Sequence, residues 1–272
     1  MSLQSRQPPL LDLPSFLSAC RAAPSILLCC DFDGTLVPLR DNPRECFLAE
    51  KQRLNLQRLS LCKKLRVVIV SGRSMGDLKT LVAIPGIGLV GNHGLEMEVD
   101  GLCFDQPLPS VVTTLLQHYY ANLPLRLKAF PGVWVEDKGL SLTIHYRQLV
   151  PSLLPEFKAV IEKLTQELSS NDKLILRSGK QVFEIRPNNA WDKGSAISYI
   201  AKQFYGDNPD VLRLYFGDDQ TDEDAYRAWP DAWTISVGNC DSSTLANFRL
   251  QSTNQVLTVI RYLATAMASH KE

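Results

Sequence analysis

The chain has 272 residues, 45% of them hydrophobic and 21% charged, which is typical of a folded globular protein large enough for two domains. Its 29 basic residues balance its 29 acidic ones, which argues against a general binder of nucleic acid or acidic membranes. The sequence lacks both an apolar run of the roughly 18 residues that span a membrane and the pattern of a secretory signal. Its seven cysteines include no CxxC pair, which favours free thiols and a cytoplasmic location.

The first predicted strand carries the most informative motif. It is an apolar run that starts at Ile26 and ends in Asp31-Phe-Asp33-Gly-Thr. In an open α/β sheet, ligands bind beyond the carboxyl ends of the strands, so both carboxylates are expected at the mouth of a site. Two carboxylates held together need a divalent metal or a lysine beside them. A turn that caps a helix would explain the triplet alone equally well.

Two further predicted strands end in small or polar residues. A helix predicted over 47–61 leads to the strand Leu65–Val70, which is followed by Ser71-Gly72-Arg73 and by a predicted helix over 75–82. Ser71 either caps that helix or helps to bind an anion at its N-terminus. The strand at 88–90 leads into Gly91-Asn92-His93-Gly94, whose glycines permit close backbone approach.

The pattern changes between residues 108 and 187, where we predict an inserted α+β domain. Helices are predicted at 111–120 and 153–168, and strands at 125–130, 133–138, 140–147, 173–177 and 180–186, with a turn at Ser178-Gly179. The segment 140–147 alternates between apolar and polar residues, as expected for a sheet with one covered face and one open face.

The α/β pattern returns after residue 187. A helix predicted over 191–204 carries Lys193 in its first turn, and the strand 211–216 ends in the acidic sequence Gly217-Asp218-Asp219-Gln-Thr-Asp222-Glu-Asp224. The acidic sequence opens a predicted helix through Ala225, Tyr226 and Trp229, and a strand at 232–237 and a helix at 256–267 complete the chain. We therefore predict an α/β fold, a Rossmann-like parallel-sheet core formed by 1–107 and 188–272, with an α+β cap domain inserted at 108–187.

The four motifs, in this order and with a cap between the second and third, resemble the haloacid-dehalogenase superfamily of phosphohydrolases. The resemblance implies that Asp31 is the nucleophile and that Asp33 is the general acid and later the base. It implies that Ser71 and Lys193 stabilise the phosphoryl oxygens. It also implies a Mg²⁺ cofactor with three protein ligands and a supporting carboxylate, namely Asp31, the Asp33 backbone carbonyl and Asp218, supported by Asp222.

A closer resemblance is to the trehalose-6-phosphate phosphatase family. It is carried by Glu136-x-Lys138-Gly139, His145-Tyr146-Arg147, Gly179-Lys180-x-x-x-Glu184 and Gly91-Asn92-His93-Gly94-x-Glu96, although Asn92 stands where the family often has serine. The resemblance implies trehalose 6-phosphate as substrate. The residues that it assigns to substrate binding are Arg73, His93, Glu136, Lys138, Arg147, Lys180 and Glu184. It also suggests a separate trehalose-phosphate synthase as a partner.

Other interpretations stay open at this point. The enzyme could hydrolyse a related ester, such as sucrose 6-phosphate or a mannosyl or glucosyl phosphoglycerate, or it could be a phosphomutase. A non-catalytic sugar-phosphate sensor or a synthase-binding subunit is a different class of function, against which the complete catalytic set argues. The charged residues of the cap could also be ion pairs on a solvated sheet face. The connectors 104–109 and 187–190 are predicted to be hinges over which the cap closes.

Overall fold

The computed structural model describes residues 7–40, 42–189, 191–239 and 243–268. The chain divides into two units, a core unit of Met1–Asp105 with Trp191–Glu272 and a second unit of Gln106–Ala190. The helices are α1 Leu13–Ala22, α2 Glu50–Ser60, α3 Met75–Val82, α4 Ser110–Arg126, α5 Leu154–Asn171, α6 Lys193–Tyr205, α7 Asp222–Ala228 and α8 Thr253–Ala268. Within the described ranges, none of them is both long and apolar enough to cross a membrane.

The strands form one sheet in each unit. They are β1 Ser25–Asp31, β2 Leu65–Val70, β3 Gly88–Gly91, β4 Glu96–Val99, β5 Leu102–Asp105, β6 Trp134–Asp137, β7 Leu142–His145, β8 Leu174–Gly179, β9 Val182–Pro187, β10 Val211–Gly217, β11 Trp233–Val237 and β12 Phe248–Leu250. The core sheet has the order β12-β11-β10-β1-β2-β3-β4-β5, and the sheet of the second unit has the order β6-β7-β9-β8. The predicted α/β class is thereby confirmed.

Strand β1 lies at the centre of the core sheet and positions the site. It pairs in parallel with β10 on one side and with β2 on the other. Its side chains are buried on both faces, because Leu28 and Cys30 pack with α1, α2, α3 and α8 while Leu27 and Cys29 pack with α6 and α7. The register sets Cys30 opposite Phe216 and Asp31 opposite Val70, so the three strands end at the same edge.

Three elements of the core were not predicted from the sequence. They are α1, the short strand β12, and the antiparallel hairpin β4–β5. The hairpin turn is Asp100-Gly101, with φ of 45° and 83°, which is the conformation that an Asp-Gly pair favours between two strands. The Asp-Gly dipeptide was therefore a signal from which the hairpin could have been predicted. The hairpin extends the parallel sheet by two antiparallel strands.

The second unit packs the apolar face of its sheet on two helices. Leu142, Ile144 and Ile185 contribute from the sheet, and Phe157 of α5 joins them in one buried cluster with residues of α4. The strand predicted at 125–130 is wrong, because α4 continues to Arg126 and turns follow it. The predicted turn is also wrong by two residues, since Ser178 and Gly179 belong to β8 and the chain reverses at 180–181, where Gln181 has a φ of 62°.

An exposed ion pair joins the two helices of this unit. The Arg126 guanidinium donates to both carboxylate oxygens of Glu167, at 2.7 and 2.8 Å. Because both side chains are largely exposed, we expect Glu167→Gln to lower the free energy of unfolding by only about 0.5 kcal/mol near neutral pH. The hydrogen bonds from Arg126 lower the pKa of Glu167 below its ordinary 4.5. A depressed carboxyl pKa contributes stability above the unfolded pKa and loses it as the pH falls through the folded pKa.

Urea unfolding of wild type and Glu167→Gln tests this expectation. The difference between the two proteins should be measurable near neutral pH and should shrink below the ordinary carboxyl pKa, toward about pH 3. A difference of the same size at both pH values would contradict an electrostatic origin.

Candidate active site

A buried lysine lies between two buried carboxylates at the carboxyl edge of the core sheet. The Nζ atom of Lys193 is 2.8 Å from Oδ1 of Asp31 and 2.7 Å from Oδ1 of Asp222. Asp31 ends β1, and Lys193 begins α6 directly after Asp192, whose carboxylate caps the helix by accepting from the Ser195 amide at 2.8 Å. The sequence pattern placed both residues near the site, and the structure brings them into direct contact.

Asp222 is the most fully hydrogen-bonded carboxylate of this cluster. Its Oδ1 also accepts from the Tyr215 hydroxyl at 2.7 Å, and its Oδ2 accepts from the backbone amides of Asp218 at 2.8 Å and Asp219 at 3.0 Å. Gly217 makes room for this arrangement, because a Cβ atom there would lie 2.2 Å from the Asp222 Cγ. Since both oxygens are occupied by donors, Asp222 holds Lys193 and the acidic loop in place.

Burial and neighbouring charges oppose each other in this cluster. Burial raises the pKa of Asp31, and the Lys193 ammonium opposes that shift. Burial lowers the pKa of Lys193, but the carboxylates of Asp222 and Asp31 outweigh it and hold the pKa well above its usual value. Burial raises the pKa of Asp219, but Lys193 and the Thr221 hydrogen bonds lower it to a net value of about 2. Lys193 is therefore a fixed positive charge beside Asp31, the predicted nucleophile.

The donor set next to this lysine fits a hard divalent cation. Carboxylate oxygens of Asp31, Asp218 and Asp222 lie within 4.8 Å of one another. Mg²⁺ prefers oxygen ligands, and these are all carboxylate oxygens. Because Asp222 is engaged with four donors, Asp31 and Asp218 are the carboxylates best placed to hold an ion. The Thr35 hydroxyl donates to Asp218 Oδ1 at 3.2 Å and so orients it.

A substitution at Gly34 tests this candidate metal site, because a side chain there would meet Asp218. Its φ is 86°, and a Cβ atom there would lie 2.1 Å from Asp218 Oδ2. We expect Gly34→Ala to displace the Asp218 carboxylate and to weaken Mg²⁺ binding by about 10- to 100-fold. Isothermal titration with MgCl₂ measures this directly. Gly101→Ala is the matched control, because Gly101 has a φ of 83° with open space around its Cβ position. Equal Mg²⁺ affinity in the two variants would contradict the assignment.

Asp33 and Arg73 form a bidentate ion pair. Arg73 Nε lies 2.6 Å from Asp33 Oδ2, and Nη2 lies 2.7 Å from Asp33 Oδ1 and 2.7 Å from the Pro43 carbonyl oxygen. The sequence assigned Arg73 to the substrate and Asp33 to proton transfer, and it gave no sign that they touch. In the structure, Arg73 fixes the direction of the Asp33 carboxylate.

Ser71 and His93 lie together beside these residues. Ser71 follows the end of β2 and is buried, and its carbonyl oxygen accepts from the His93 amide at 3.0 Å. The imidazole lies over Gly72, where a Cβ atom would come 2.2 Å from His93 Nε2. His93 and Asn92 both have positive φ, 55° and 47°. This backbone conformation is rare for residues other than glycine and tends to occur at functional sites.

Asn92 fixes the loop that carries this histidine. Its amide group donates to Glu96 Oε2 at 2.6 Å, and the Met75 backbone amide donates to the same oxygen at 3.2 Å. Glu96 on β4 therefore links the loop of Asn92, the position where the family often has serine, to the start of α3.

The remaining predicted substrate residues belong to the second unit. Glu136 Oε2 is 2.8 Å from His145 Nε2, and Lys138 Nζ is 3.3 Å from Glu184 Oε1. Arg147 donates to the Lys180 carbonyl oxygen at 3.3 Å. Lys180 lies in the turn between β8 and β9, outside β9, although the strand was predicted to start at residue 180.

Comparison with known proteins shows the family to which the chain belongs. The model of the trehalose-phosphatase family matches residues 29–254, which include the core motifs and the whole second unit. The chain belongs to this family. The family and the enzyme class predicted from the sequence, a phosphoric monoester hydrolase, are thereby confirmed.

Individual relatives agree with this placement. The chain is 32% identical to the trehalose-phosphate phosphatase of Mycobacterium marinum over 88% of this chain and 61% of that relative. It is 27% identical to "Probable trehalose-phosphate phosphatase H" of Arabidopsis thaliana over 95% of this chain and 77% of that relative. The solved C-terminal domain of the C. albicans trehalose-6-phosphate phosphatase shares the fold, with a TM-score of 0.84 and 23% identity over 95% of this chain and 99% of that one.

Proposed function

We propose that the protein hydrolyses trehalose 6-phosphate to trehalose and inorganic phosphate with the help of Mg²⁺. The observation that carries the proposal is the buried Asp31–Lys193–Asp222 cluster, with Asp218 beside it, in a chain of the trehalose-phosphatase family. A buried carboxylate at a strand end can attack a phosphate ester as a nucleophile, and the charged lysine beside it can stabilise the negative phosphoryl oxygens.

The first half of the reaction transfers the phosphoryl group to the protein. An Asp31 carboxylate oxygen forms a bond to phosphorus while the bond from phosphorus to the sugar oxygen breaks. Asp33 gives its proton to the leaving sugar oxygen as general acid. The Lys193 ammonium stabilises negative charge on the phosphoryl oxygens, and the Ser71 hydroxyl donates to one of them. Because Arg73 occupies both oxygens of Asp33, at least one of those contacts must be released before the proton is transferred.

The second half releases phosphate. Asp33 takes a proton from water, whose oxygen forms a bond to phosphorus as the bond to Asp31 breaks. Asp31 and Asp218, with the Asp33 carbonyl, would hold Mg²⁺, whose charge would reduce the repulsion between the anionic carboxylate and the anionic phosphate. Asp222 keeps Lys193 charged and in place during both steps.

The sugar is recognised by the polar face of the β6–β9 sheet. Glu136, Lys138 and Glu184 offer both acceptors and donors, as a ligand with many hydroxyl groups requires. Arg147 and Lys180 add two more cations beside this face. In the core unit, Arg73 and His93 complete the predicted set. The hinges predicted at 104–109 and 187–190 belong to the same proposal, with residue 190 outside the part of the chain that the structure describes.

The substrate is tested by phosphate release from trehalose 6-phosphate, sucrose 6-phosphate, mannosyl phosphoglycerate and glucose 6-phosphate. We expect a strong preference for trehalose 6-phosphate, loss of activity with EDTA, and recovery with added MgCl₂. Preference for another ester would keep the chemistry and replace the substrate. Transfer of the phosphoryl group back to the sugar would reveal a mutase, and no phosphate release from any of the four esters would favour a binding protein.

Two finer predictions belong to the proposal. A cytoplasmic location is supported by the cysteines in the described ranges, Cys20, Cys29, Cys30, Cys46, Cys62 and Cys103, which are free thiols. A separate synthase as partner rests on the family resemblance. The C-terminal domain of the Candida albicans trehalose synthase regulatory protein is also similar, with a TM-score of 0.73, but at 13% identity that likeness concerns the fold alone.

A further inference from the structure

We infer that Trp134, stacked on His145, is the platform on which a pyranose ring of the substrate lies, and that the Thr143 hydroxyl binds one of its sugar hydroxyl groups. The inference rests on the proposed function and deepens it. It names three residues of the sugar site to which the sequence motifs give no role.

The first observation is an exposed tryptophan on a polar sheet face. Trp134 lies opposite His145 across β6 and β7, and the two rings are stacked with centroids 3.9 Å apart and planes at 8°. The tryptophan is 41% exposed, and it lies with Glu136 on the face of the sheet that the helices do not cover. Pockets for polar ligands combine an apolar or aromatic surface with a few fixed polar groups. The apolar face of a pyranose matches such a ring.

The second observation is that one contact, the stack with His145, fixes the platform. His145 stacks on Trp134 through its ring face, and its Nε2 lies 2.8 Å from Glu136 Oε2. One side chain therefore fixes the orientation of the aromatic surface and of a predicted sugar-binding carboxylate. We assign His145 as a positioning residue, which acts through Trp134 and Glu136.

The third observation is a buried hydroxyl without a partner. Thr143 lies between Glu136 on β6 and Glu184 on β9 in the sheet register. It is only 2% exposed, and its Oγ1 atom has no hydrogen-bond partner among the residues that the structure describes. Buried polar groups in proteins are nearly always hydrogen-bonded, so an unpaired one between two carboxylates points to a ligand. A sugar hydroxyl can both donate to and accept from threonine.

The competing explanation is that the aromatic pair only stabilises the sheet across its strands. In that case, replacement of Trp134 would weaken folding and would lower the turnover of every phosphate ester alike. Loss of a sugar-binding platform would instead lower the turnover of sugar phosphates and leave the turnover of an aryl phosphate unchanged. The ratio of kcat/KM for trehalose 6-phosphate to kcat/KM for p-nitrophenyl phosphate separates the two explanations.

The experiment compares Trp134→Leu, Trp134→Phe and Thr143→Val in the full chain. Tyr120→Leu, an exposed aromatic residue on α4, is the matched control. We expect Trp134→Leu to lower the ratio by about 10-fold or more, mainly through KM, and Trp134→Phe to recover part of it. We expect Thr143→Val to raise KM for trehalose 6-phosphate by roughly 5-fold without lowering Tm, because valine removes an unpaired buried hydroxyl. The control should leave the ratio unchanged.

An unchanged ratio in Trp134→Leu would overturn the platform, and a lower Tm with unchanged KM in Thr143→Val would overturn the role of the hydroxyl. Neither result would touch the proposed function. Conversely, a wild-type protein that does not hydrolyse trehalose 6-phosphate would overturn the proposed function, and the inference with it. Titration calorimetry with trehalose gives a second measurement, in which Trp134→Leu should weaken binding and Tyr120→Leu should not.

Discussion

Asp31→Asn is expected to abolish phosphate release, lowering kcat by on the order of 10⁴-fold or more, as loss of a nucleophile does in enzymes with covalent intermediates. The amide keeps an oxygen that can accept from Lys193, so the hydrogen bond of 2.8 Å can survive. The amide lacks the negative charge that makes a carboxylate oxygen nucleophilic. The main effect should therefore fall on chemistry, with a smaller loss of stability because Lys193 loses one of its two compensating charges.

Phosphate release in the first turnover and thermal unfolding measure these two quantities on the same sample. Asp207→Asn is the control, because Asp207 is an exposed carboxylate that also pairs with a lysine, Lys202. It should retain wild-type activity. If Asp31→Asn kept turnover within about 10-fold of wild type, another group would be the nucleophile.

Asp222→Asn is expected to be both inactive and unstable, with a loss of about 3 kcal/mol in the free energy of unfolding. All four partners of Asp222 are donors, namely Lys193, the Tyr215 hydroxyl and the amides of Asp218 and Asp219. An asparagine has one acceptor oxygen, so its NH₂ group must face two of these donors. The substitution also removes half of the charge that compensates a fully buried ammonium.

A double-mutant cycle with Lys193→Met separates the ion pair from general damage. Urea unfolding of wild type, the two single variants and the double variant gives the coupling energy. We expect Lys193→Met to cost less in the Asp222→Asn background than in wild type, with a coupling of more than about 1 kcal/mol. Additive losses, within about 0.5 kcal/mol, would contradict a direct role of Asp222 in holding the lysine.

The sequence was sufficient to predict the parts of the fold that follow from local pattern. The helix over 75–82 is confirmed by α3, and the strand at 65–70 is confirmed by β2. Buried parallel strands appear as continuous apolar runs, which is why their polar endings could be recognised as site residues. The turn at 178–179 was misplaced because Ser-Gly is a common turn pair, whereas the chain reverses two residues later through the left-handed Gln181.

The contacts between distant residues could not be predicted in the same way. The Arg73 guanidinium reaches Asp33 from 40 residues away, and the Tyr215 hydroxyl reaches Asp222 from within a strand that is apolar apart from Arg213. A tyrosine in an apolar run is a weak signal that its hydroxyl needs a buried partner. The stack of Trp134 on His145 depends on strand register, which the hydrophobic pattern alone does not give.

Chemical trapping of Asp31 tests the central claim most directly. The protein is mixed with trehalose 6-phosphate and Mg²⁺, quenched within the first turnover, reduced with borohydride and digested for mass spectrometry. An acyl phosphate on Asp31 would be reduced to homoserine, so we predict the corresponding loss of mass at residue 31, dependent on both substrate and metal. Turnover of trehalose 6-phosphate with residue 31 unmodified, or with another carboxylate reduced in its place, would contradict the account.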